Sequence, residues 1–370
     1  MTKTENKHRI LFICTQMEAG GVQVRATSML KSLREEGYDA RLIFLYTKRP
    51  IFNDLEGAIS LSASPPKSVS DYAGIFSRLA AEFKSFKPTA VVGFAHYSSP
   101  IASVLGWLNG TKIRLGTQVN PPTSHGVPSR LMDLIVGTLG LYTRNIATSD
   151  AIKDCFRRYP SSYRKRIKVI FNGVDLKQSK ITKQEARSTF GLDPSKFYIL
   201  NCGRISQQKN QKFLIELLSR VPDVHLAILG DGELRPSLEE EVAKRGLRER
   251  VTFVGEVQPS KVKDFLRCGD VFLFPSLYEA FGLALVEAMA AGLPVIASNH
   301  PALVEIADSG GLTLSLDIDT WCEKLNDLIE LRKHSPDSFY NLGKIAAERS
   351  SLFSYERMYS NFKNEITSDY

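Results

Sequence analysis

The sequence has no apolar run long enough to cross a membrane. Its longest nearly apolar stretches, Leu131–Tyr142 and Gly282–Ala297, contain Asp133 and Glu287. Both are shorter than the roughly 20 apolar residues that a membrane-spanning helix needs. Arg9 is followed by only five apolar residues, so we expect no secretory signal peptide at the N-terminus.

Cysteine is scarce and unpaired in its spacing. The five cysteines are Cys14, Cys155, Cys202, Cys268 and Cys322. A disulfide framework or a zinc site would need an even number or closely spaced pairs. The sequence therefore predicts reduced thiols and a cytoplasmic location.

Acidic residues are fewer than basic ones. Lys and Arg number 48 against 40 Asp and Glu, a net charge of +8, which favours polyanions or anionic membranes as partners. With 43% hydrophobic residues, 25 Gly and 17 Pro, the composition excludes a disordered, collagen-like or coiled-coil chain. A length of 370 residues predicts two domains of similar size.

Short β-rich segments alternate with helical patterns in the first half of the chain. Arg9–Cys14 is predicted as a buried strand, Gly20 and Gly21 as the loop after it, and Ala40–Tyr46 as the second strand. Further predicted strands are Thr89–Phe94, Lys112–Thr117, Asn145–Thr148 and Lys168–Phe171. This alternation is typical of a parallel sheet covered by helices on both faces.

The same alternation starts again at the predicted strand Phe197–Cys202, after a polar linker at Lys177–Lys196. We therefore predict an α/β protein with domains at 1–177 and 178–350. An aromatic C-terminal helix within 353–370 is expected to pack on the first domain. Ligands of open α/β sheets bind beyond the carboxyl ends of the strands, so the loops there are the candidate sites.

The segment Pro275–Ser298 carries the strongest functional signal. Glu279 lies in a predicted strand-to-helix loop, and Phe281-Gly282 precedes a helix whose N-terminal N–H groups favour an anion. Glu287, eight residues after Glu279, can accept two hydroxyl hydrogen bonds, as ribose recognition requires. The alternative is that Glu287 caps or pairs structurally and that Glu279 is a solvated loop acid.

Two cations follow the first strand of the second domain. Gly203-Arg204 and Lys209 stand where a diphosphate that gains charge can be stabilised without a metal, although a solvated basic loop has the same pattern. Gly230 and Gly232 end another strand, either to let the backbone approach a ligand or to form a tight turn.

These segments together resemble glycosyltransferase family 4. The resemblance rests on Glu279 to Glu287 with the following Ala-Met-Ala-Ala-Gly-Leu-Pro-Val-Ile-Ala, and on features in the same order as in the family. These features are Gly20-Gly21, Asn172-Gly173-Val174-Asp175, Gly203-Arg204 with Lys209, Gly230-Asp231-Gly232-Glu233-Leu234, Phe253-Val254-Gly255 and the C-terminal aromatic helix. The similarity spans essentially the whole chain and is strongest over 168–310.

The resemblance implies the GT-B fold, two Rossmann-like doubly wound domains with a cleft between them. It also implies a retaining, metal-independent enzyme that moves a sugar from a nucleotide diphosphate, more often UDP than GDP, to a glycan or lipid-linked glycan in cell-surface polysaccharide or lipopolysaccharide synthesis. No cofactor is implied, since the nucleotide sugar is a substrate. The implied catalytic residues are Glu279, Arg204 and Lys209. The implied substrate-binding residues are Gly20, Gly21, Gly203, Gly230, Gly232, Val257, Ala280, Phe281, Gly282, Leu283, Glu287 and His96.

The first domain departs from the family in one respect. Members often carry a histidine after the fifth strand, where this chain has Gly116-Thr117-Gln118-Val119-Asn120. His96 and His125 lie in loops at predicted strand ends and are candidates for acceptor contact or for surface and turn roles. We assign no general base.

Residues 153–168 contain seven Lys or Arg and one acid, with Tyr159 and Tyr163 interleaved. Such a segment can rest on anionic lipid at the inner face of the plasma membrane or form a solvated domain edge. It carries no nucleic-acid-binding motif. A DxD-type metal site is not predicted, because Asp317-Ile318-Asp319 lies at a predicted helix start and indicates a cap.

Two other functions stay open at this stage. One is a UDP-sugar 2-epimerase of the same architecture, which needs no acceptor. The other is a sugar-nucleotide-binding protein without turnover, against which the presence of both acids and both cations argues.

Overall fold

The computed structural model describes residues 8–18 and 20–368. Residues 1–7 (part of the segment expected to lack a signal peptide), Ala19, and 369–370 at the end of the predicted C-terminal helix lie outside the described residues. The chain divides into two compact units. The first runs to Phe171 and includes the residues from Tyr359 on, and the second is Asn172–Met358.

The first unit is built on a parallel seven-stranded sheet with strand order β3-β2-β1-β4-β5-β6-β7. Its strands are β1 (Arg9–Met17), β2 (Asp39–Thr47), β3 (Ala58–Ser60), β4 (Ala90–Phe94), β5 (Ile113–Gln118), β6 (Arg144–Ala147) and β7 (Ile167–Val169). Central β1 is buried because it pairs on both sides, with Phe12 opposite Leu42 and Val92. The predicted alternation of strands and helices is confirmed.

Six helices precede or follow these strands. They are α1 (Gly21–Glu35), α2 (Val69–Phe86), α3 (Ala95–Leu108), α4 (Val127–Thr138), α5 (Asp150–Asp154) and α6 (Ser161–Arg164), with a 3₁₀ turn at Pro122–Ser124. α2 starts with a capping box in which Ser68 and Asp71 bond each other's backbone N–H groups. Leu79 and Phe83 of α2 pack with Leu11 of β1 in one apolar core.

The second unit has a parallel six-stranded sheet with order β10-β9-β8-β11-β12-β13. Its strands are β8 (Phe197–Cys202), β9 (Val224–Leu229), β10 (Val251–Gly255), β11 (Val271–Phe274), β12 (Val295–Ser298) and β13 (Leu312–Leu314). Its order reverses between β8 and β11, which makes the carboxyl ends of these two neighbours the switch point where ligands bind in such sheets.

Helices cover this second sheet. They are α7 (Lys183–Thr189), α8 (Gln211–Arg220), α9 (Arg235–Lys244), α10 (Pro259–Leu266), α11 (Leu283–Ala290), α12 (Pro301–Ala307), α13 (Ile318–His334) and α14 (Pro336–Ser350). The last helix, α15 (Tyr355–Thr367), belongs to the first unit from Tyr359 on. Short 3₁₀ helices lie at Arg248–Arg250, Asp308–Gly310 and Ser351–Phe353. The fully buried Trp321 of α13 packs in a core with Leu214 and Leu226. Asp317 caps α13 through Thr320 N–H at 2.9 Å, as the sequence predicts.

The segment 177–196, predicted as a linker, includes a helix. It contains α7, which starts with a capping box of Thr182 and Glu185. Arg187 of α7 donates to the buried Asp270 at 2.9 Å, and Lys183 and Arg332 also pair with Asp270. The polar composition of the segment therefore reflects ion pairs with the second unit.

The boundary between the units falls at 171/172, six residues before the predicted position, because Val174 bonds the backbone at Phe353 and Tyr355. The last helix begins in the second unit, while Phe362 from its later turns stacks on Phe94 of β4 in the first unit, at 6.3 Å between ring centroids. Strands β3 and β13, of three residues each, were not predicted.

Candidate active site

Two loops meet at the carboxyl ends of the neighbouring strands β8 and β11. The loop after β8 runs over 203–210 and the loop after β11 over 275–282. Leu277 N–H donates to the Gln208 carbonyl at 2.8 Å, and the Gln208 side chain donates to the Tyr278 carbonyl at 3.0 Å. These reciprocal bonds fix the two loops side by side.

The predicted residues Lys209 and Glu279 are in direct contact across these loops. Lys209 Nζ donates to Glu279 Oε1 at 2.5 Å, and the side chains are only 17% and 8% exposed. The ammonium also lies 4.6 Å from the ring centroid of Phe274, the last residue of β11. A positive and a negative group are thus held together in a largely dry position, where a cation acts more strongly on a bound anion than in water.

Arg204 lies in the same loop but points to solvent. Its side chain is 74% exposed, and its Nε donates to Glu233 Oε2 at 3.0 Å. An exposed pair of this kind contributes about 0–1 kcal/mol. The guanidinium can therefore leave Glu233 for another anion at little cost.

The glycines after β8 and β9 are explained by contacts between the loops themselves. Gly203 and Gly230 have φ of 142° and 127°, which side chains rarely adopt. A Cβ at Gly230 would lie 2.1 Å from the Gly203 carbonyl oxygen, and one at Gly232 would lie 2.2 Å from the Ile205 carbonyl oxygen. These contacts give Gly230 and Gly232 a role beside the two that the sequence left open, ligand approach and a tight turn: close packing against the loop after β8.

The predicted helix start at Phe281-Gly282 is observed. Gly282 is the N-cap of α11 with φ of 92°, and a Cβ there would approach the Leu303 side chain to 2.6 Å. Since Gly282 has no side chain, the N-cap position supplies no oxygen to the N–H groups of the first turn. Phe281 is buried against Phe353, which leaves Ala280 and Leu283 on either side of the helix start.

Glu287, one turn further along α11, is a partly buried carboxylate. Burial raises its pKa from the usual 4.5 to about 7, and Lys263 acts weakly in the opposite direction. The pKa of the Cys202 thiol, at the end of β8, is raised first by burial and second by the charge of Glu287. The Glu287 carboxylate therefore lies near the end of β8. Within residues 8–18 and 20–368 the Glu287 side chain makes no hydrogen bond or ion pair. Such a group in a folded protein calls for a partner.

Val257 lies two residues beyond the end of β10 and is partly buried. Its loop is tied to the glycine loops because Gly230 N–H donates to the Gly255 carbonyl at 2.9 Å. β10 is two strands away from β8 in the sheet. Val257 is therefore at the edge of the group formed by Lys209, Glu279 and Glu287.

His300 was not singled out by the sequence. It is the N-cap of α12 at the end of β12, the strand next to β11. Burial lowers its pKa while the charge of Glu279 raises it, which places the imidazole near that carboxylate. Its Nδ1 is buried without a hydrogen-bond partner among the described residues. The sequence signal that could have identified His300 is its position shortly after a predicted strand, since loops after strands are where we sought the site.

In the first unit, Gly20 and Gly21 lie at the N-terminus of α1, as predicted. Gly20 is the N-cap, with an extended backbone (φ −161°), and Gly21 is the first helical residue. A Cβ at Gly20 would meet only the movable end of the Gln23 side chain, at 2.6 Å. Gly20 supplies no side-chain cap to the first N–H groups of α1, which are the donors that an anion at a helix N-terminus uses.

His96 and His125, separate in sequence, are stacked on each other. His96 is the second residue of α3 and not in a loop as predicted, whereas His125 follows the 3₁₀ turn after β5. Their ring centroids are 3.3 Å apart with an interplanar angle of 15°. Burial, helped by His125, lowers the pKa of His96 to about 4, so the ring is neutral at neutral pH. Its Nδ1 is buried without a partner in the described part of the chain. Ala95 before it has φ of 69°.

An open cavity of about 570 Å³ lies in the first unit beside the ends of β1, β2 and β3. Its lining combines apolar groups with Thr47, Lys48, Asn53 and Ser60. Lys48 Nζ pairs with Glu18 at 3.0 Å. The cavity therefore offers several hydroxyl-binding groups to a polar ligand.

The segment 153–168 is basic at its surface but does not present both predicted aromatic rings. Tyr163 is 1% exposed, since its hydroxyl donates to buried Asp133 at 2.6 Å, and the prediction that it lies at the surface is wrong. Arg157, Arg158 and Lys165 are exposed.

Two features are absent from the described ranges, 8–18 and 20–368. No three His, Cys, Asp or Glu side chains there are grouped so that they could hold a metal ion. No helix there combines the length and the apolar content that crossing a bilayer takes.

Solved structures share this architecture over nearly the whole chain. HepE from Anabaena, solved with UDP and glucose, has a TM-score of 0.82 at 19% identity and covers 98% of this chain and 100% of its own. Sucrose-phosphate synthase from Thermosynechococcus elongatus has a TM-score of 0.78 at 21% identity, with coverages of 97% and 98%. The fold is the two-domain, Rossmann-like GT-B fold of glycosyltransferases.

Sequence comparisons then give the family. The model of Glycosyltransferase Family 4 matches residues 19–178, and that of Glycosyl transferases group 1 matches residues 182–344. The chain is therefore a glycosyltransferase of the family 4 type, with the first model matching its first half and the second model its second half.

Curated relatives match over part of their length. The lipopolysaccharide core biosynthesis mannosyltransferase LpsB of Rhizobium meliloti is 35% identical over 40% of this chain and 46% of its own. The D-inositol 3-phosphate glycosyltransferase of Rhodococcus opacus is 32% identical over 58% of this chain and 50% of its own. The chain thus spans about half the length of these relatives.

Proposed function

We propose that this protein transfers a sugar from a UDP-sugar to a hydroxyl of a glycan or lipid-linked glycan, with retention of the anomeric configuration. The observation that carries the proposal is the contact between Lys209 and Glu279 next to Glu287, which has no partner of its own. A cation, a sugar-binding acid and a ribose-binding acid at one strand end suit a nucleotide sugar.

The donor binds to the second unit in this proposal. Lys209, Arg204 and the N-terminus of α11 take the diphosphate, since charged donors and helix N–H groups stabilise an anion that gains charge as the sugar–phosphate bond breaks. Glu287 accepts hydrogen bonds from the ribose hydroxyls, and Glu279 binds hydroxyls of the transferred sugar. Support for UDP comes from HepE, which was solved with UDP and with UDP-glucose.

The acceptor binds to the first unit. The cavity beside β1, β2 and β3 has side chains for hydroxyl groups, and His96 is a neutral imidazole at another strand end. The acceptor loses its proton to the leaving phosphate, on the same face of the sugar, without a protein nucleophile, metal or cofactor. The relative LpsB, named for lipopolysaccharide core biosynthesis, supports an acceptor in cell-surface polysaccharide synthesis. The proposal places the protein in the cytoplasm, with 153–168 against the inner face of the plasma membrane.

One experiment separates this function from its two alternatives. The protein is incubated with UDP-, GDP- and ADP-sugars, and nucleotide release is followed with and without a lipid-linked glycan fraction. Acceptor-dependent release of UDP is expected. Conversion of the sugar without release would indicate an epimerase, and ligand-induced thermal stabilisation without any conversion would indicate a binding protein.

The diphosphate assignment is tested by Arg204→Ala and by Lys209→Met with Glu279→Gln, since removing only Lys209 would leave a buried carboxylate unpaired. Each variant is expected to lose about 2–4 kcal/mol of transition-state stabilisation in kcat/KM. Lys212→Ala is the matched control, because Lys212 is an exposed cation three residues from Lys209. Wild-type kcat/KM in Arg204→Ala and in the double variant would refute the assignment.

A further inference from the structure

Helix α4 in the first unit has its polar and apolar faces reversed relative to an ordinary surface helix. Val127, Leu131, Ile135 and Leu139 recur every four residues along α4 and its C-cap, and they are 48–71% exposed. Asp133 on the same helix is buried. A surface helix of a globular protein normally turns its apolar stripe to the core.

This orientation is fixed from inside. Asp133 accepts hydrogen bonds from the hydroxyls of Tyr142 (2.7 Å) and Tyr163 (2.6 Å) and from the Gln118 amide (3.0 Å). Gly137 of α4 packs on the Tyr163 ring, since a Cβ there would lie 2.1 Å from it. The outward apolar stripe is therefore set by the three hydrogen bonds to the buried Asp133 carboxylate, and rotating α4 to hide the stripe would break them.

The apolar surface continues onto the end of α3. Trp107 and Leu108, the last two residues of α3, are 56% and 64% exposed. α3 and α4 pack together and run in parallel, because each follows one strand of a parallel sheet and precedes the next. Their C-terminal ends therefore lie at the same end of the sheet. We call Trp107, Leu108, Val127, Leu131, Ile135 and Leu139 together the α4 surface.

Cations surround the α4 surface. Arg130 is exposed on α4, and Arg164 and Lys165 are exposed directly after Tyr163, which α4 contacts. Arg157 and Arg158, six and five residues before Tyr163, are exposed and have no ion pair with the described residues. Exposed acids are few: Asp150 pairs with Lys153 at 3.7 Å, and Asp154 is next to it.

The sequence around α4 is also poor in acidic residues, in agreement with the excess of cations at the α4 surface. Between Glu82 and Asp150 the sequence has one acid, Asp133, and the network described above holds it inside. A protein partner of ordinary composition would gain nothing from so uniform a charge, whereas an anionic lipid surface attracts every cation that comes within a Debye length.

We propose that the α4 surface binds the surface of an anionic phospholipid bilayer, with α4 lying in the plane of the interface. The apolar stripe and Trp107 enter the boundary between headgroups and acyl chains, and the surrounding cations contact lipid phosphates. This is the arrangement of interfacial amphipathic helices, and tryptophan is enriched at that depth. The proposal differs from simple adsorption of 153–168 and does not rest on the proposed enzymatic activity.

The apolar part is tested with sucrose-loaded vesicles of phosphatidylglycerol and phosphatidylcholine. Leu131→Glu with Ile135→Glu is expected to lower the partition coefficient at least about tenfold, because two apolar anchors are lost and two charges of the wrong sign are added. Val69→Glu is the control, since Val69 on α2 is 86% exposed outside the α4 surface. Wild-type binding by the double variant, with an unchanged thermal transition, would overturn the proposal.

The charge part uses Arg157→Glu with Arg158→Glu, compared with Lys212→Glu with Arg267→Glu, which reverses two exposed cations of the second unit. Only the first pair should lower binding, again at least about tenfold. Neutral phosphatidylcholine vesicles should bind the wild-type protein weakly. Equal binding to neutral and anionic vesicles would contradict the charge complementarity.

Wild-type protein supplies an independent readout that needs no variant to fold. The sequence has two tryptophans, and Trp321 is fully buried in the second unit. Quenching by bromine-labelled lipid should therefore report Trp107, and Trp107→Phe should remove the quenchable component. Absence of quenching in the wild-type protein, or a vesicle-free dimer that Leu131→Glu with Ile135→Glu dissociates, would overturn the proposal in favour of another occupant.

Discussion

Replacing Glu287 by glutamine should stabilise the folded protein at pH 8 while weakening donor binding. The reason is that burial raises the pKa of this carboxyl group from 4.5 to about 7. For an acid whose pKa is higher in the folded state, the folded protein holds the proton more tightly than the unfolded chain. The free energy of unfolding therefore falls as the pH rises from 4.5 to 7, and the full cost of the buried charge remains above pH 7.

The magnitude follows from the two pKa values. A difference between 4.5 and about 7 corresponds to about 3 kcal/mol at 1.36 kcal/mol per pH unit. Because the side chain is partly exposed, we expect Glu287→Gln to gain about 1–3 kcal/mol at pH 8. Below pH 4.5, where the carboxyl group is neutral in both states, the gain should vanish.

The assay is thermal unfolding of wild type and Glu287→Gln in buffers from about pH 4 to pH 8.5, followed by calorimetry with a UDP-sugar. Glu348→Gln is the control, since Glu348 is exposed on α14 in the same unit and makes no ion pair with the described residues. A lower melting temperature of Glu287→Gln at pH 8 would refute the argument from burial.

Binding should change in the opposite direction. The glutamine amide can replace only part of the hydrogen bonding of a carboxylate, so the affinity for a UDP-sugar should fall by about 1–3 kcal/mol at pH 8. In the wild type, the affinity should decrease as the pH falls below 7, because protonation removes an acceptor. Unchanged affinity of the variant would remove Glu287 from the ribose.

Three further predictions concern other residues of the second unit. Asp270→Ala should lower the free energy of unfolding by about 3–5 kcal/mol in urea titrations, because three cations pair with this buried carboxylate; an intact unfolding midpoint would contradict it. His300→Ala should lower kcat/KM for the donor about fivefold or more if its unpartnered nitrogen meets a ligand, whereas His225→Ala should not; equal losses would argue for a structural effect. Gly230→Ala should destabilise the protein by about 2 kcal/mol or more, since its Cβ meets backbone 2.1 Å away, whereas Gly246→Ala adds its Cβ in open space and costs about 1 kcal/mol, from its positive φ alone; similar melting temperatures for the two variants would refute the steric argument.

The sequence predicted the parallel sheets because their strands are continuous apolar segments that fill both sides of each ladder. It did not predict the three-residue strands β3 and β13, whereas the equally short β7 was predicted because Val169 is followed by the apolar Ile170 and Phe171. It placed a linker over α7 because the composition there is polar. Those polar residues include Arg187, whose partner Asp270 lies 83 residues away and is invisible to any local pattern.

The candidate site, like the fold, was only partly predictable from the sequence. Glu279 and Lys209 were assigned to one site through the family resemblance. Local patterns could not show it, because β8 and β11, whose loops carry the two residues, are neighbours in the sheet but not in the sequence. The partner of Arg204 could not be predicted either, since Glu233 stands 29 residues away in a loop where several acids compete. Tyr163 was assigned to a surface on its basic neighbours, but its position depends on Asp133, 30 residues earlier.

The pairing of both site cations with carboxylates has a consequence for binding. Lys209 is bound by Glu279 in a mostly buried position, and Arg204 by Glu233 in an exposed one. A buried ammonium without an anion would be costly, so Glu279 stabilises the charged lysine while the site is empty. In the proposed function a diphosphate replaces Glu279 as the partner of Lys209, which releases the carboxylate toward the hydroxyls of the transferred sugar. The same exchange at Arg204 costs little because that pair is in water, so the two cations differ in the partner that each gives up when the donor binds, although both then stabilise the leaving diphosphate.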